Sequence, residues 1–257
     1  MHDNHDQALD RRRALGLVGA LGMLGGGLLS GCGATTATDE ETDTDSDTDG
    51  SDDSGSDTTI AGECVLIPEE TEGPYPLLAV LSNSAMVRED ITEGKTGVPL
   101  TLKLKIVDIS NNCEPMTNAS VYVWHCDKDG LYSGYSQPAG NTIGETFCRG
   151  IQDVDSDGIV TFSTIYPGWY SGRITHIHFQ VFLYSDSVAT ATSQLAFPQA
   201  ITTAVYNSAL YTKGQNTSVS SFSADGIFRD GTTYQMATVT GDVDSGYTAT
   251  LQVGISS

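Results

Sequence analysis

His176-Ile177-His178 is the first place in the chain where residue type and spacing suggest chemistry. It opens the run His176-Ile177-His178-Phe179-Gln180-Val181-Phe182-Leu183, which reads as a strand. In a strand, residues i and i+2 share a face, so the two imidazoles project side by side while Ile177 turns to the core. That arrangement suits two ligands on one metal ion, although two such histidines alone are more often structural or surface residues. Two tyrosines strengthen the pattern. Tyr170 follows the Pro167-Gly168 turn, and Tyr132 lies in a loop after the strand-like Ala119–Trp124. Together the four side chains form an N2O2 donor set. Phenolate is a hard anionic donor suited to Fe3+, and a bound ion would keep the phenols deprotonated at neutral pH. Zinc would ask for Cys, His or carboxylate instead. Arg173 precedes the first histidine by three residues. Strand alternation would turn it away from His176, so Gly172-Arg173 is expected in the incoming loop, free to swing its guanidinium over the metal.

The elements that must position these residues read as short strands. Leu100–Val107 alternates with period two, as does Gly158–Ile165, and Ala119–Trp124 is β-branched and aromatic. Tyr234–Thr240 and Tyr247–Val253 flank an Asp-Ser-Gly turn and read as a hairpin. One short helix is expected near Pro198–Tyr211, where Ala, Ile, Val and Leu recur at helical spacing. The fold class is therefore all-β: a β-sandwich of mixed short strands with long loops and one short helix. Asp153–Gly158 opens like a calcium loop, but its last ligand position is Thr164, and it reads as a turn. His125 reads as a structural or supporting residue, and Trp124 and Trp169 as packing.

The 257 residues divide unevenly in charge, for a net −21. Residues 33–60 hold ten acids and no base. That tract has almost no apolar residues, so it is expected to be an extended, disordered acidic linker. The strong acidity argues against nucleic acid as a partner, because phosphate binding needs clustered Lys and Arg. No apolar run reaches the roughly 18 residues of a membrane-crossing helix. Residues 1–31 read as a signal peptide: Arg11-Arg12-Arg13, an apolar Gly-rich run, then Leu29-Ser30-Gly31 before Cys32. The paired arginines are twin-arginine-like, and Leu-Ser-Gly-Cys resembles a bacterial lipobox with Cys32 as the lipidated residue. The expected divisions are 1–31 signal, 32–62 lipidated cysteine and linker, and 63–257 catalytic domain. The expected location is the bacterial cell envelope, facing the periplasm or the cell surface, with membrane contact only through the lipid. Four further cysteines, Cys64, Cys113, Cys126 and Cys148, suggest disulfides in an exported domain, with three connectivities open.

Several segments resemble the intradiol ring-cleavage dioxygenases, a family that includes protocatechuate 3,4-dioxygenase and catechol 1,2-dioxygenase. They are Thr71-Glu72-Gly73-Pro74-Tyr75, Trp124 through Tyr132, Phe162 through Tyr170, Arg173 through Phe179, and Thr192 through Phe197. They run in the family's order, and the likeness is strongest to secreted single-chain members, which carry Trp-His-Cys-Asp and Arg-Gly-Ile-Gln segments like those here. The resemblance implies Fe3+ as cofactor, held by Tyr132, Tyr170, His176 and His178, with Tyr170 as the ligand that leaves when substrate binds. It places Arg173 over the bound ring, Gln194 in the same pocket and Tyr75 at its border. It implies cleavage of a catechol-type diol by O2 between the hydroxylated carbons, giving a cis,cis-muconate-type diacid. Two departures stand out. The helical dimerisation region of catechol 1,2-dioxygenases is replaced by the acidic linker, so their dimer does not carry over and a homodimer is left open. One chain holds the pocket-border segment and all four ligands, so the unlike second subunit of protocatechuate enzymes is not required. The competing reading is a metal-free, transthyretin-like β-sandwich lipoprotein that binds or adheres. A zinc hydrolase is a third, without the usual third ligand.

Overall fold

The computed structural model describes residues 62–184 and 188–257. The expected signal, Cys32 and all but the last residue of the acidic linker lie outside the described residues. In chain order the elements are β1 Pro99–Asp108, β2 Glu114–Pro115, β3 Ala119–Trp124, β4 Ser136–Gln137, β5 Gly140–Asn141 and β6 Arg149–Asp153. They continue with β7 Ile159–Ile165, β8 His176–Leu183, β9 Ala191–Ala196, α1 Gln199–Tyr206, β10 Thr238–Asp242 and β11 Gly246–Ile255.

Two sheets face each other. One runs β10-β11-β1-β2, with β7 also paired to β1, and mixes a long parallel β1/β11 ladder with antiparallel neighbours. The other runs β6-β3-β8-β9 and is antiparallel throughout. The alternation of β1 explains its place: Leu100, Leu102, Leu104 and Ile106 are buried between the sheets. Opposite them stand Val121 and Val123 of β3 and Ile177, Phe179 and Val181 of β8. Strand β8 is buried on both faces over His176–Val181. One face joins this core. The other, with His178, meets a second cluster around Tyr122, Trp124 and Tyr132, where Trp124 stacks on the His178 ring. No helix among the described residues is long and apolar enough to cross a membrane.

The all-β sandwich with one short α-helix among the described residues is as expected, and five strands lie within one or two residues of their sequence positions. The hairpin before the Asp-Ser-Gly turn is shifted: β10 starts at Thr238, because Gln235 and Met236 donate to the Thr232 carbonyl in a turn. The helix stops at Tyr206, where Asn207 and Ser208 close the last turn. Asp153–Gly158 is the tight turn between β6 and β7, with Asp155 accepting from the Asp157 and Ile159 amides. Of the four cysteines, Cys64 and Cys113 form a disulfide, while Cys126 and Cys148 are buried thiols.

Candidate metal centre

β8 begins at His176, and the chain before it is an irregular turn, so Arg173 is indeed loop-borne. The His176 Nδ1–H donates to the Ile174 carbonyl at 2.6 Å. A carbonyl only accepts, so the His176 Nε2 carries a bare lone pair. That nitrogen lies 3.1 Å from His178 Nε2, 3.3 Å from the Tyr132 hydroxyl and 3.3 Å from the Tyr170 hydroxyl. Register supports the pair: His178 sits between Trp124 of β3 and Gln194 of β9. Its ring lies parallel to the Trp124 ring, with centroids 4.9 Å apart. On its other side, a Cβ on Gly73 would touch the His178 Cε1 at 3.2 Å.

The tyrosines come from two loops locked together by backbone. Asp127 holds one: its carboxylate accepts from the Asp129 and Leu131 amides and pairs with Lys95 at 3.2 Å. Gln137 clamps Tyr132 itself, accepting from its amide and donating to its carbonyl. The other loop docks where the Gly168 amide donates to the Asp127 carbonyl at 3.0 Å. A Cβ on Gly168 would overlap the Lys128 carbonyl, and one on Gly130 would overlap that of Trp169. Both glycines are therefore required by close approach, which brings the Tyr132 and Tyr170 rings to 5.6 Å.

Arg173 is pinned above this cluster. Its Nε donates to both carboxylate oxygens of Asp225, at 2.9 and 3.1 Å, and its Nη2 donates to Gln194 Oε1 at 2.6 Å. Its Nη1 stands 3.4 Å from His176 Nε2. Gln194 is held in turn by donating to the Thr71 carbonyl. Tyr75 stacks on Tyr132 with centroids 4.8 Å apart and is half-buried. Every expected site residue in the described part of the chain thus meets in one place. Sequence reasoning assigned no role to Asp225, Phe228 or Gln137, and quoted Arg149 only within a matching segment. Arg149 is fully buried and bonds Ser133, Tyr122 and the Tyr75 carbonyl, bracing the wall behind Tyr132. His125 is structural: its Nδ1 donates to the Cys126 carbonyl, and its Nε2 accepts from Thr164.

The electrostatics fit a cation. Burial holds both imidazoles neutral, taking His176 down to about 3 with help from Arg173, and His178 well below its usual range. Burial also drives the Tyr132 phenol well up and Tyr170 up to about 12, the latter opposed by Arg173. Around the single lone pair of His176 Nε2 crowd an imidazole nitrogen and two hydroxyls, more groups than one acceptor satisfies. His178 Nδ1, also buried, has no hydrogen-bond partner. Donors 3.1–3.3 Å apart match the spacing of ligands that each sit about 2 Å from one shared ion. No group of three or more His, Cys, Asp or Glu is placed to hold a metal among the described residues, so the phenols must complete any such set. Two hard oxygens and two imidazoles suit ferric iron.

No protein-family model matches the chain, and no curated protein matches it. Solved structures do. An intradiol ring-cleavage dioxygenase from Tetranychus urticae is 26% identical with a TM-score of 0.66, over 75% of this chain and 95% of that one. A second dioxygenase is 28% identical with the same TM-score, over 76% and 95%. The dioxygenase domain of a carbohydrate-binding fusion protein from Streptomyces sp. SirexAA-E shares the fold at 23% identity and a TM-score of 0.52, over 75% and 99%. The first two likenesses span the sandwich and nearly the whole of each neighbour, and they meet a chain whose Tyr132, Tyr170, His176 and His178 converge beneath Arg173; in fold and in sequence the chain is similar to intradiol ring-cleavage dioxygenases.

Proposed function

We propose that this protein is a ferric dioxygenase that opens catechol-type rings between their two hydroxylated carbons, giving a cis,cis-muconate-type diacid. The observation that carries it is the meeting of His178 and both tyrosine hydroxyls within 3.1–3.3 Å of His176 Nε2. Tyr132, Tyr170, His176 and His178 would hold the iron. Bound Fe3+ would supply a Lewis-acidic centre for both oxygens of the diol, letting the ring itself furnish electrons to O2.

The protein's own groups do the rest. Tyr132, His176 and His178 are buried, whereas Tyr170 is half-buried and is the member of the set that an entering diol reaches. As a phenolate, the Tyr170 oxygen can accept a proton from a diol hydroxyl. Arg173 presents Nη1 toward the centre of the cluster, where it stabilises negative charge that grows on the reacting ring. Gln194 keeps that guanidinium in place, and Tyr75 borders the pocket against Tyr132. A metal-free binding module has no use for two neutral imidazoles and two phenols crowded on one lone pair. The test is metal analysis and a visible spectrum of purified protein, followed by product detection with catechol, hydroxyquinol and protocatechuate. About one iron per chain, a broad tyrosinate charge-transfer band and a muconate-type product are expected. A colourless protein with no ring cleavage rejects the reading.

We also infer export and anchoring through a lipid on Cys32, from Leu29-Ser30-Gly31-Cys32 and from a domain that carries the Cys64–Cys113 disulfide. Cys32→Ser should release the protein from membranes with activity intact. A variant that stays membrane-bound rejects the anchor.

A further inference from the structure

We propose that Asp225 is a positioning residue that locks the Arg173 guanidinium over the ligand cluster and, by cancelling its charge, tunes the pocket to diols without an anionic substituent. The inference rests on the dioxygenase reading.

Asp225 lies outside both sheets, yet it is fully buried. An isolated carboxylate in such a place is costly unless every lone pair is engaged. Here the two oxygens make five contacts with four N–H donors. Oδ2 takes Arg173 Nε at 2.9 Å and the Ile174 amide at 2.7 Å. Oδ1 takes Arg173 Nε at 3.1 Å, the Ile227 amide at 2.8 Å and the Phe228 amide at 3.1 Å. The carboxylate thereby ties the loop before β8 to the 3-10 turn Phe228–Asp230, whose Phe228 ring lies 5.7 Å from the guanidinium carbon and 6.5 Å from the His176 ring. The result is a chain of bonds from the Thr71 carbonyl through Gln194 and Arg173 to Asp225 and three backbone amides. Of the Arg173 nitrogens, only Nη1 is left to face the centre, and Asp225 fixes where it points.

The same pairing decides charge. The Arg173 side chain, 13% exposed, faces the cluster, and Asp225 neutralises it. Arg149, the other arginine here, keeps its charge but is fully buried behind Tyr132, its N–H groups turned to Ser133, Tyr122 and the Tyr75 carbonyl. Lys213 also keeps its charge, with its ammonium turned to the Asp129 and Trp169 carbonyls. Nearby acids add negative charge: Glu70 is held by Gln235 beside β9, and Asp230 is two residues from Phe228. Among the described residues, a substrate carboxylate in the pocket would meet an Arg173 already paired with Asp225 and the nearby acids Glu70 and Asp230, while a neutral substituent loses nothing.

The experiment compares wild type with Asp225→Asn, Asp225→Glu, Arg173→Gln and the Arg173→Gln/Asp225→Asn pair. It reads iron content, kcat and KM for catechol, 4-methylcatechol and protocatechuate, and equilibrium binding of the uncleavable monophenols 4-methylphenol and 4-hydroxybenzoate. Wild type should favour 4-methylcatechol over protocatechuate by at least about tenfold in kcat/KM, the scale of one charge-assisted hydrogen bond. Asp225→Asn should keep iron, lose about 10²-fold in catechol kcat with KM little changed, and shift both cleavage and monophenol binding toward the carboxylated partner. Asp225→Glu should recover part of the loss, and in the Arg173→Gln background Asp225→Asn should cost little more. Unchanged kcat in Asp225→Asn, or an equal loss with and without Arg173, overturns the positioning role. If Asp225→Asn does not fold, Asp225→Glu and wild type still decide, because wild-type preference for protocatechuate over 4-methylcatechol overturns the charge role. A wild type that cleaves no diol overturns the dioxygenase reading and this one with it.

Discussion

At the scale of single residues, the proposed reading separates metal holding from charge stabilisation. Tyr132→Phe removes one of the two oxygens, and His178→Ala removes a nitrogen that stands 3.1 Å from its neighbour, so each should lose iron and colour together. Arg173 supplies neither oxygen nor nitrogen ligand and acts on charge alone. Arg173→Ala should keep most of the iron while turnover falls by on the order of 10²–10³, as for removal of one preorganised donor; full turnover would leave Arg173 a packing residue. His125 offers a different test. It is buried and neutral, bonded on both ring nitrogens, and burial takes it down to about 4. Its folded value lies below the unfolded value of about 6.5, so the unfolded chain binds the proton first as pH falls. The stabilisation is fully present above about pH 6.5 and is lost by about pH 4, amounting to about 3 kcal/mol. Denaturant titrations of wild type and His125→Gln at pH 7 and 4.5 should show a smaller pH effect in the variant. Equal pH effects would mean that His125 titrates normally.

At the scale of elements, β8 supplies the pair of histidines and two loops supply the phenols. The strand does its part by alternation: Ile177 enters the core while His176 and His178 share the opposite face. The loops do theirs by backbone contact at Gly130 and Gly168. Gly168→Ala should force the Lys128 carbonyl away, separating Tyr170 from Tyr132. We expect about 1–3 kcal/mol of destabilisation and a larger relative loss of iron affinity, read by denaturation and by iron titration. Normal affinity would show that the loops can part without disturbing the centre.

At the scale of the whole molecule, the site sits on the outer face of the β6-β3-β8-β9 sheet, and the chain's first described residues close it. After Cys64 the chain bridges β11 at Gly254 and then carries Thr71 and Gly73 against Gln194 and His178. The Cys64–Cys113 disulfide staples this lead-in to the turn after β1 across 49 residues of sequence. Replacing both cysteines by serine should cost about 2–4 kcal/mol in denaturant unfolding. Iron content of the folded protein should hold, because the lead-in keeps its bonds to β9 and β11. Loss of iron at full folding would assign the disulfide to the site as well.

Strands whose patterns are local can be read straight from the residues. Alternation in β1 and β7 and the β-branched run of β3 follow from side-chain period alone, and so does the shared face of His176 and His178. The sequence also carried the ligand types, because imidazole and phenol chemistry belongs to the residue, whatever surrounds it. Strand β6, Arg149–Asp153, has no alternation to read, since its place depends on pairing with β3. The start of β10 was displaced by a turn that only its partners reveal. Cysteine count suggested pairing but not which two would meet, and Cys126 and Cys148 stand as buried thiols. Above all, Asp225 lies 52 residues from Arg173 in a loop whose sequence, Ala224-Asp225-Gly226, reads as an ordinary turn. A buried carboxylate takes its meaning from the groups that desolvate and bond it. Those groups are assembled only when the loop folds against the sandwich, so tertiary structure alone decided that Asp225 belongs to the site.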